Sequence, residues 1–331
     1  MNRSANVAVF VPHLGCGHRC SFCNQNGING DTGPVGTDGV TRILEHGLAT
    51  LGGNAKDAQI AFFGGSFTSI PRDQRILLLE AAQPFLREGG YGGIRISARP
   101  DAIDEGILDE LESYGVTAIE LGVQSMDDGV LSANNRGHTA EDVEKASALI
   151  RERGFSLGHH MMTGLYGSNQ TKDLYTARRL IALKPDTVRI HPALVLEGTK
   201  LARLHHEGKY IPQDLEGAVE LCTELLKMFN QAGVTVIRMG LHDTPGLNES
   251  LVAGPYHPAF RELCEGKIML GTAVRLLYGA GPGKVRLAVN PGYVSRMTGQ
   301  NRRNLRQLKD MGYRVKIVTD EGLEPLEVRK V

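Results

Sequence analysis

Cys16, Cys20 and Cys23 stand in a C-x3-C-x2-C arrangement within eight residues of a 331-residue chain, whereas the two remaining cysteines, Cys222 and Cys264, are single and distant. Thiolates are soft ligands. Three on one short loop can hold three corners of an iron–sulfur cube and leave the fourth iron open to a substrate or cofactor. Zinc is the rival ion, with His13 or His18 as a fourth ligand, although its sites usually carry paired C-x2-C arms. Cys222 and Cys264 fall among leucines in helical patterns and read as buried, inert thiols. An odd cysteine count argues for reduced thiols and a cytoplasmic setting. The apolar stretch at 7–12 lacks the cleavage pattern of an export signal.

A ligand loop needs a scaffold to position it. Short β-rich runs at about 7–12, 59–63, 94–98, 117–123, 155–161, 186–191 and 234–238 alternate with helical patterns at about 38–51, 71–88, 104–114, 139–153, 170–183 and 213–232. Such βα units predict a parallel sheet, doubly wound or curled into a full or partial barrel. Three of the strands alternate instead of running continuously apolar. Arg95, Ser97 and Arg99 interleave with Ile94, Ile96 and Ala98; Glu120, Gly122 and Gln124 with Ile119, Leu121 and Val123; and Thr187, Arg189 and His191 with Val188 and Ile190. The apolar phase faces the helices, so the polar phase faces a lumen, the alternative being a half-sheet with one solvated face. Buried charges need partners, and Glu120 is placed to meet Arg95 or Arg189. Ser97, Arg99, Gln124 and Arg136 fall at or beyond the ends of the third and fourth strands, on the face where βα barrels gather ligand residues. His159 and His160 end the fifth strand and His191 the sixth, which makes them candidate substrate contacts. The glycine-rich stretch 24–36 is a candidate lid over the cysteine loop.

The pattern changes after Gly254. The expected division is a barrel core over 1–254, a helical extension and linker over 255–283, and a small α+β module over 284–331. That module reads as a strand at 285–289, a helix at about 293–311, and strands at 313–318 and 323–328. With 41% hydrophobic and 22% charged residues the composition is globular. No apolar run approaches the roughly 18 residues of a membrane helix. The 37 basic and 37 acidic side chains cancel overall, yet 284–331 holds eleven Lys/Arg against five Asp/Glu.

The cysteine motif, with Phe22 before its third cysteine, resembles the signature of the radical S-adenosylmethionine (SAM) superfamily. Further segments match in order: Phe62-Phe63-Gly64-Gly65-Ser66-Phe67-Thr68; Ile96-Ser97-Ala98-Arg99-Pro100-Asp101; Glu120-Leu121-Gly122-Val123-Gln124-Ser125; Asn135-Arg136-Gly137-His138-Thr139; and His191-Pro192-Ala193-Leu194-Val195 with Gly198-Thr199. Within the superfamily the set is similar to the radical SAM half of the Elongator catalytic subunit and, more distantly, to coproporphyrinogen III dehydrogenase. The resemblance spans about 5–280. It implies a partial (βα) barrel and a [4Fe–4S] cluster on Cys16, Cys20 and Cys23, with SAM on the open iron. Reductive cleavage of SAM to a 5′-deoxyadenosyl radical would then serve hydrogen abstraction. It also implies that Gly64, Gly65 and Ser66 line the SAM site, Ser66 standing where many members carry Glu. Arg136 would meet the SAM carboxylate, with Gln124, Ser97 and Arg99 as polar contacts. A reducing partner of flavodoxin or ferredoxin type follows.

The Elongator branch modifies the wobble uridine of tRNA, so the resemblance points to RNA modification. Its acetyltransferase domain has no counterpart here, so acetyl-CoA-dependent chemistry would fall to a separate partner, or the reaction differs. In the basic tail, Arg296, Arg302, Arg303, Arg306 and Lys309 surround Thr298-Gly299-Gln300-Asn301, a candidate phosphate-gripping turn. It faintly resembles a KH-type loop, with Arg302 where that loop has a second glycine. Two other readings stay open: a radical SAM enzyme acting on a small molecule such as a tetrapyrrole, and a non-catalytic iron–sulfur or zinc protein that binds RNA.

Overall fold

A computed structural model describes residues 5–11, 14–17, 19–24, 35–87, 90–241 and 243–331. Along the chain run β1 (Asn6–Phe10), α1 (Thr37–Leu51), β2 (Gln59–Phe63), α2 (Arg72–Ala82), β3 (Ile94–Ala98), α3 (Glu105–Ser113) and β4 (Val116–Gln124). Next come α4 (Asp128–Ala133), α5 (Ala140–Glu152), β5 (Ser156–Thr163), α6 (Gln170–Ala182), β6 (Thr187–Pro192), β7 (Val195–Leu196) and α7 (Lys200–His206). Then follow α8 (Leu215–Gln231), β8 (Thr235–Met239), α9 (Pro245–Ser250), β9 (Leu251–Ala253) and α10 (Phe260–Leu277). The chain ends with β10 (Gly283–Val289), α11 (Val294–Thr298), α12 (Arg303–Asp310), β11 (Tyr313–Thr319) and β12 (Val328–Lys330).

Two compact units emerge, one formed by Met1–Gln213 with Phe229–Pro255, the other by Asp214–Met228 with Tyr256–Val331. In the first unit β1, β2, β3, β4, β5, β6 and β8 make one parallel sheet in that order, curled into a half-barrel with helices outside. The expected βα rhythm is borne out. Ile60, Phe62, Ile94, Ile96, Ile119, Leu121, Val188 and Ile190 are buried on the helix side, each worth about 1.5–3 kcal/mol when taken from water. Helix starts are set locally. Asp104 accepts from Ile107 N, Asn169 from Lys172 N, and Thr139 with Asp142 closes a capping box. The hairpin-like pair β7·β9 and the short α4, α7 and α9 lie where no sequence pattern announced them.

The second unit is built around a three-stranded sheet of order β11-β10-β12, with β10 parallel to β11 and antiparallel to β12. Met269, Ala273 and Leu277 of α10 share one core with Leu287, Val289, Met297, Leu308 and Tyr313. The segment expected as an extension thus packs as part of the tail's own core. Two expectations for the tail need correction. The single helix at 293–311 is broken into α11 and α12, because Gly299 (φ 74°), Asn301 (φ 49°) and Arg302 (φ 59°) are left-handed. Buried Asn304 holds that break by donating to Gly266 O (2.9 Å) and Arg296 O (3.1 Å). The strand expected at 323–328 is mostly turn, since Pro325 has no N–H to give a ladder and Leu326 is left-handed (φ 66°); pairing begins at Val328.

Candidate functional site

The cysteine loop leaves the C-terminal end of β1 and is tied down from three sides. Ser66 N donates to Leu14 O (2.9 Å), and the two segments touch so closely that a Cβ on Gly65 would sit 2.2 Å from Leu14 O. One on Gly15 would lie 2.1 Å from Ser66 O. The Gly64–Gly65 turn therefore admits the backbone of the cysteine loop, a packing duty independent of any ligand. On the second side Ser21 N donates to Asn134 O (3.0 Å), and the Ser21 hydroxyl bonds the Asn134 amide oxygen. On the third, Leu201 N donates to Ser21 O (2.7 Å) just after Thr199 caps α7. Phe22 packs between two buried apolar clusters, one containing Met162, Leu165 and Ala193 and the other Val195 and Leu201. Its place before the third cysteine thus anchors the loop.

Inside the curl the polar phase of the strands meets as the alternation requires. Arg189 Nε lies 2.6 Å from Glu120 Oε1, and both side chains are largely buried. Arg95 is buried beside them and donates to Gln59 Oε1 (2.9 Å); burial lowers its pKa, Glu120 opposes that, and Arg189 adds to it. The Arg189 guanidinium also stacks 4.8 Å from the Phe63 ring centre. Above this layer His160 and His191 meet edge to face, ring centres 4.4 Å apart. Burial, with Arg189 and Arg136 nearby, pushes the His160 pKa down to about 3, so at neutral pH it is an uncharged donor–acceptor. His159 does not join them. As neighbours on a strand, His159 and His160 point to opposite faces, and His159 lies on the helix side, fully buried, with Nε2 2.9 Å from the Ser147 hydroxyl. The shared face expected for the three histidines is therefore corrected to His160 and His191.

At the strand ends Arg136 bridges the loop and the sheet. Its Nη1 donates to Cys20 Sγ (3.1 Å) and its Nη2 to Gly122 O (2.6 Å). Gln124 is left-handed (φ 65°) and buried at a register shift between β4 and β5. A Cβ on Gly122 would lie 3.4 Å from both Arg136 Nη2 and Gln124 Nε2, so this glycine is what lets the two side chains converge. Gly122 and the Asn134 tether went unassigned in the sequence, where Gly122 lay inside a matched motif and Asn134 one residue before another. Arg99 forks onto Asp101, which raises its pKa. Ser97 is half-buried at the end of β3. Ser66 is buried, with its hydroxyl accepting from Arg99 N (3.1 Å) and meeting Ser69 Oγ (3.1 Å). His138 is buried beside Arg136, its pKa lowered to about 4 by burial and by that charge.

The donor set suits an iron–sulfur cluster with SAM. None of the three loop cysteines is in a disulfide, Cys16 being exposed and Cys20 and Cys23 half-buried. The atoms packed around its sulfur and the nearby Cys20 raise the Cys16 pKa, an effect only partly offset by a backbone bond from Ser66 and the charges of Arg136 and Arg99. Gln124 Oε1 and Arg136 Nε are buried without a partner among the described residues, as polar atoms awaiting a polar ligand would be. Among the described residues no three Cys, His, Asp or Glu side chains are grouped so as to hold a metal ion. The zinc candidates His13 and His18, and most of the lid candidate at 24–36, lie outside the described residues. Cys222 and Cys264 are fully buried, and burial pushes the Cys264 thiol up to about 12. In the tail, Arg296 is engaged by Glu265 (2.6 Å) and Arg303 by Glu216 (2.7 Å). Arg306 donates to Asn301 O (3.0 Å), leaving Arg302 and Lys309 of the expected phosphate grip.

The family model of the Radical SAM superfamily matches residues 10–180, more than half of the chain, and that of the Radical_SAM C-terminal domain matches 185–269. The tRNA uridine(34) acetyltransferase of Dehalococcoides mccartyi is 32% identical over 165 residues, covering 46% of this chain and 36% of that protein. Its counterpart in Methanocaldococcus jannaschii is 36% identical over 129 residues, 38% of this chain and 24% of that protein. Elongator complex protein 3 of Homo sapiens is 28% identical over 208 residues, 57% and 38% respectively. The chain thus spans well under half the length of these relatives. The solved structure of Methanocaldococcus infernus Elp3 shares the fold at TM-score 0.66 and 23% identity, covering 86% of this chain and 70% of that one.

Proposed function

The chain belongs to the radical SAM superfamily, whose members use a [4Fe–4S] cluster and SAM, and is an enzyme of that class; from that premise we propose that it modifies tRNA at a uridine. Cys16, Cys20 and Cys23 would hold the cluster through three irons. The bound cluster and SAM supply one-electron cleavage and hydrogen-atom abstraction, a chemistry that belongs to the cofactors. The protein's part is to orient and to shield. Arg136 presents a guanidinium that is already fixed to the cysteine loop and to β4, a planar fork suited to a carboxylate. Gln124, held in a left-handed conformation, offers its amide oxygen from a rigid position. The Glu120–Arg189 layer closes the lumen beneath, and neutral His160, edge to face with His191, lies above it. Support for tRNA comes from the relatives named above. A flavodoxin or ferredoxin would deliver the electron.

The observation that carries the reading is the Arg136 fork joining Cys20 to the end of β4, on the loop that carries Cys16, Cys20 and Cys23. Anaerobic reconstitution tests it. We expect about four irons per chain and reductant-dependent 5′-deoxyadenosine, both lost in Cys20→Ala. A colourless, zinc-loaded protein would overturn the reading. Deoxyadenosine release that rises with a tRNA transcript supports the substrate, and indifference to every RNA supports a small molecule instead.

A further inference from the structure

The second unit carries a groove of about 700 Å³ whose charged side chains are all cationic. Two cations come from β10, Lys284 and Arg286, and two from β11, Arg314 and Lys316. Arg302 and Lys309 approach from the α12 side and Lys330 from β12, and no Asp or Glu lines the groove. All seven side chains are exposed. The tail's other cations are spoken for: Arg296 by Glu265, Arg303 by Glu216, Arg329 by Glu327, and Arg306 by a carbonyl. The basic surplus seen in the sequence is thereby sorted. The acids neutralise three cations elsewhere, Arg306 turns to a carbonyl, and the other seven that form no ion pair line one groove.

The arrangement works against the stability of the sheet. Parallel register sets Lys284 opposite Arg314 and Arg286 opposite Lys316, and like charges directly opposed across strands are destabilising. Within each strand the two cations stand two residues apart, so they project on one face about 6–7 Å from each other. A two-by-two ladder of this kind matches a ligand with evenly repeating negative charges. Val285 and Val315 alternate with these cations and turn to the other face, where they pack against the core of Leu287, Leu308 and Tyr313, so the ladder stands on a face braced from behind.

We propose that this groove grips the phosphate backbone of the RNA substrate, an inference that rests on the tRNA reading above. The groove positions and does not specify. Apart from Tyr313, whose hydroxyl is turned to the Leu277 and Ala280 carbonyls, its polar side chains are Lys and Arg, with no Asn, Gln, Asp or Glu to read base edges. Arg302 serves it through its left-handed backbone (φ 59°), which follows Gly299 and turns the chain into α12. All seven cations lie beyond residue 269, where the match to the C-terminal family domain ends.

The test uses the full-length, iron-loaded protein and an unmodified tRNA transcript. Binding is followed by fluorescence anisotropy between about 50 and 200 mM KCl. The double reversal Arg286→Glu with Lys316→Glu should weaken binding at least about tenfold and flatten the salt slope by about two charges. The neutral pair Lys284→Gln with Lys316→Gln relieves like-charge repulsion, so it keeps the fold and should also lose slope. Arg303→Gln and Arg329→Gln, at cations already paired, should stay within about twofold. Wild-type affinity and slope in both groove variants would overturn the groove while leaving tRNA as substrate. If wild-type protein ignores the transcript but binds phosphatidylserine vesicles or polyglutamate, both groove and tRNA readings fall; SAM cleavage, assayed separately, is untouched by that result.

Discussion

Replacing Glu120 by glutamine tests the polar lumen directly. Glu120 is the counter-charge for Arg189 at 2.6 Å and the group that opposes the loss of charge on Arg95. Its removal leaves two buried guanidinium groups facing one another with Gln59 as the neutral partner of Arg95. Breaking a buried pair from one side costs about 3–5 kcal/mol, because the desolvated charge remains. For a unit of this size each kcal/mol moves the unfolding midpoint by about 2–4 °C, so Glu120→Gln should lower it by about 6–20 °C. Anaerobic scanning fluorimetry of the iron-loaded protein measures the shift, with urea unfolding as a second probe. Arg189→Met and the double variant complete a cycle. The double variant should recover part of the loss, since it removes one of the stranded cations along with its partner. A fall below about 1 kcal/mol for Glu120→Gln, with no coupling in the cycle, would refute the reasoning. The lumen would then be hydrated enough to screen its charges as a surface does.

Three further outcomes follow from other contacts. Gly65→Ala forces a Cβ to within 2.2 Å of Leu14 O, so the cysteine loop must shift; we expect destabilisation of about 1–3 kcal/mol and reduced iron retention, and full iron content at wild-type stability would count against the packing duty of this glycine. Arg136→Lys keeps the charge but loses the fork between Cys20 and Gly122 O; iron content should persist while the KM for SAM rises about tenfold, a split that a merely structural role would not produce. His159 is held neutral, its pKa lowered by burial to about 3. Between that value and about 6.5 the unfolded chain binds a proton the native chain does not, so stability falls as pH drops through this window by up to about 1.4 kcal/mol per unit. His159→Asn should remove that share of the slope in urea titrations at about pH 6 and 4.5; an unchanged slope would mean the imidazole titrates as it does in water.

Much of this protein is written in local patterns. The seven strands of the barrel and the helices between them follow from hydrophobic period and from turn residues. Both act over a few neighbours, so reading them requires no knowledge of the fold. The alternation of Arg95, Glu120 and Arg189 with apolar residues likewise dictated a polar lumen, because side-chain direction in a strand has period two. The cysteine spacing narrowed the chemistry to an iron–sulfur cluster or zinc for the same reason, with all three candidate ligands on one loop. Tertiary structure decided what depends on distant partners. Which face His159 takes, that Glu120 pairs closely with Arg189, and that Gly65 serves the passage of Leu14 are facts about contacts between strands. The tail shows the limit most clearly. A basic helix was legible, but the ladder of cations comes from the register of β10 against β11, and the loss of Arg296 and Arg303 comes from acids 31 and 87 residues away in the chain. Charge is a property of residues, whereas unpaired charge is a property of the fold, because only packing determines which opposite charges come within reach.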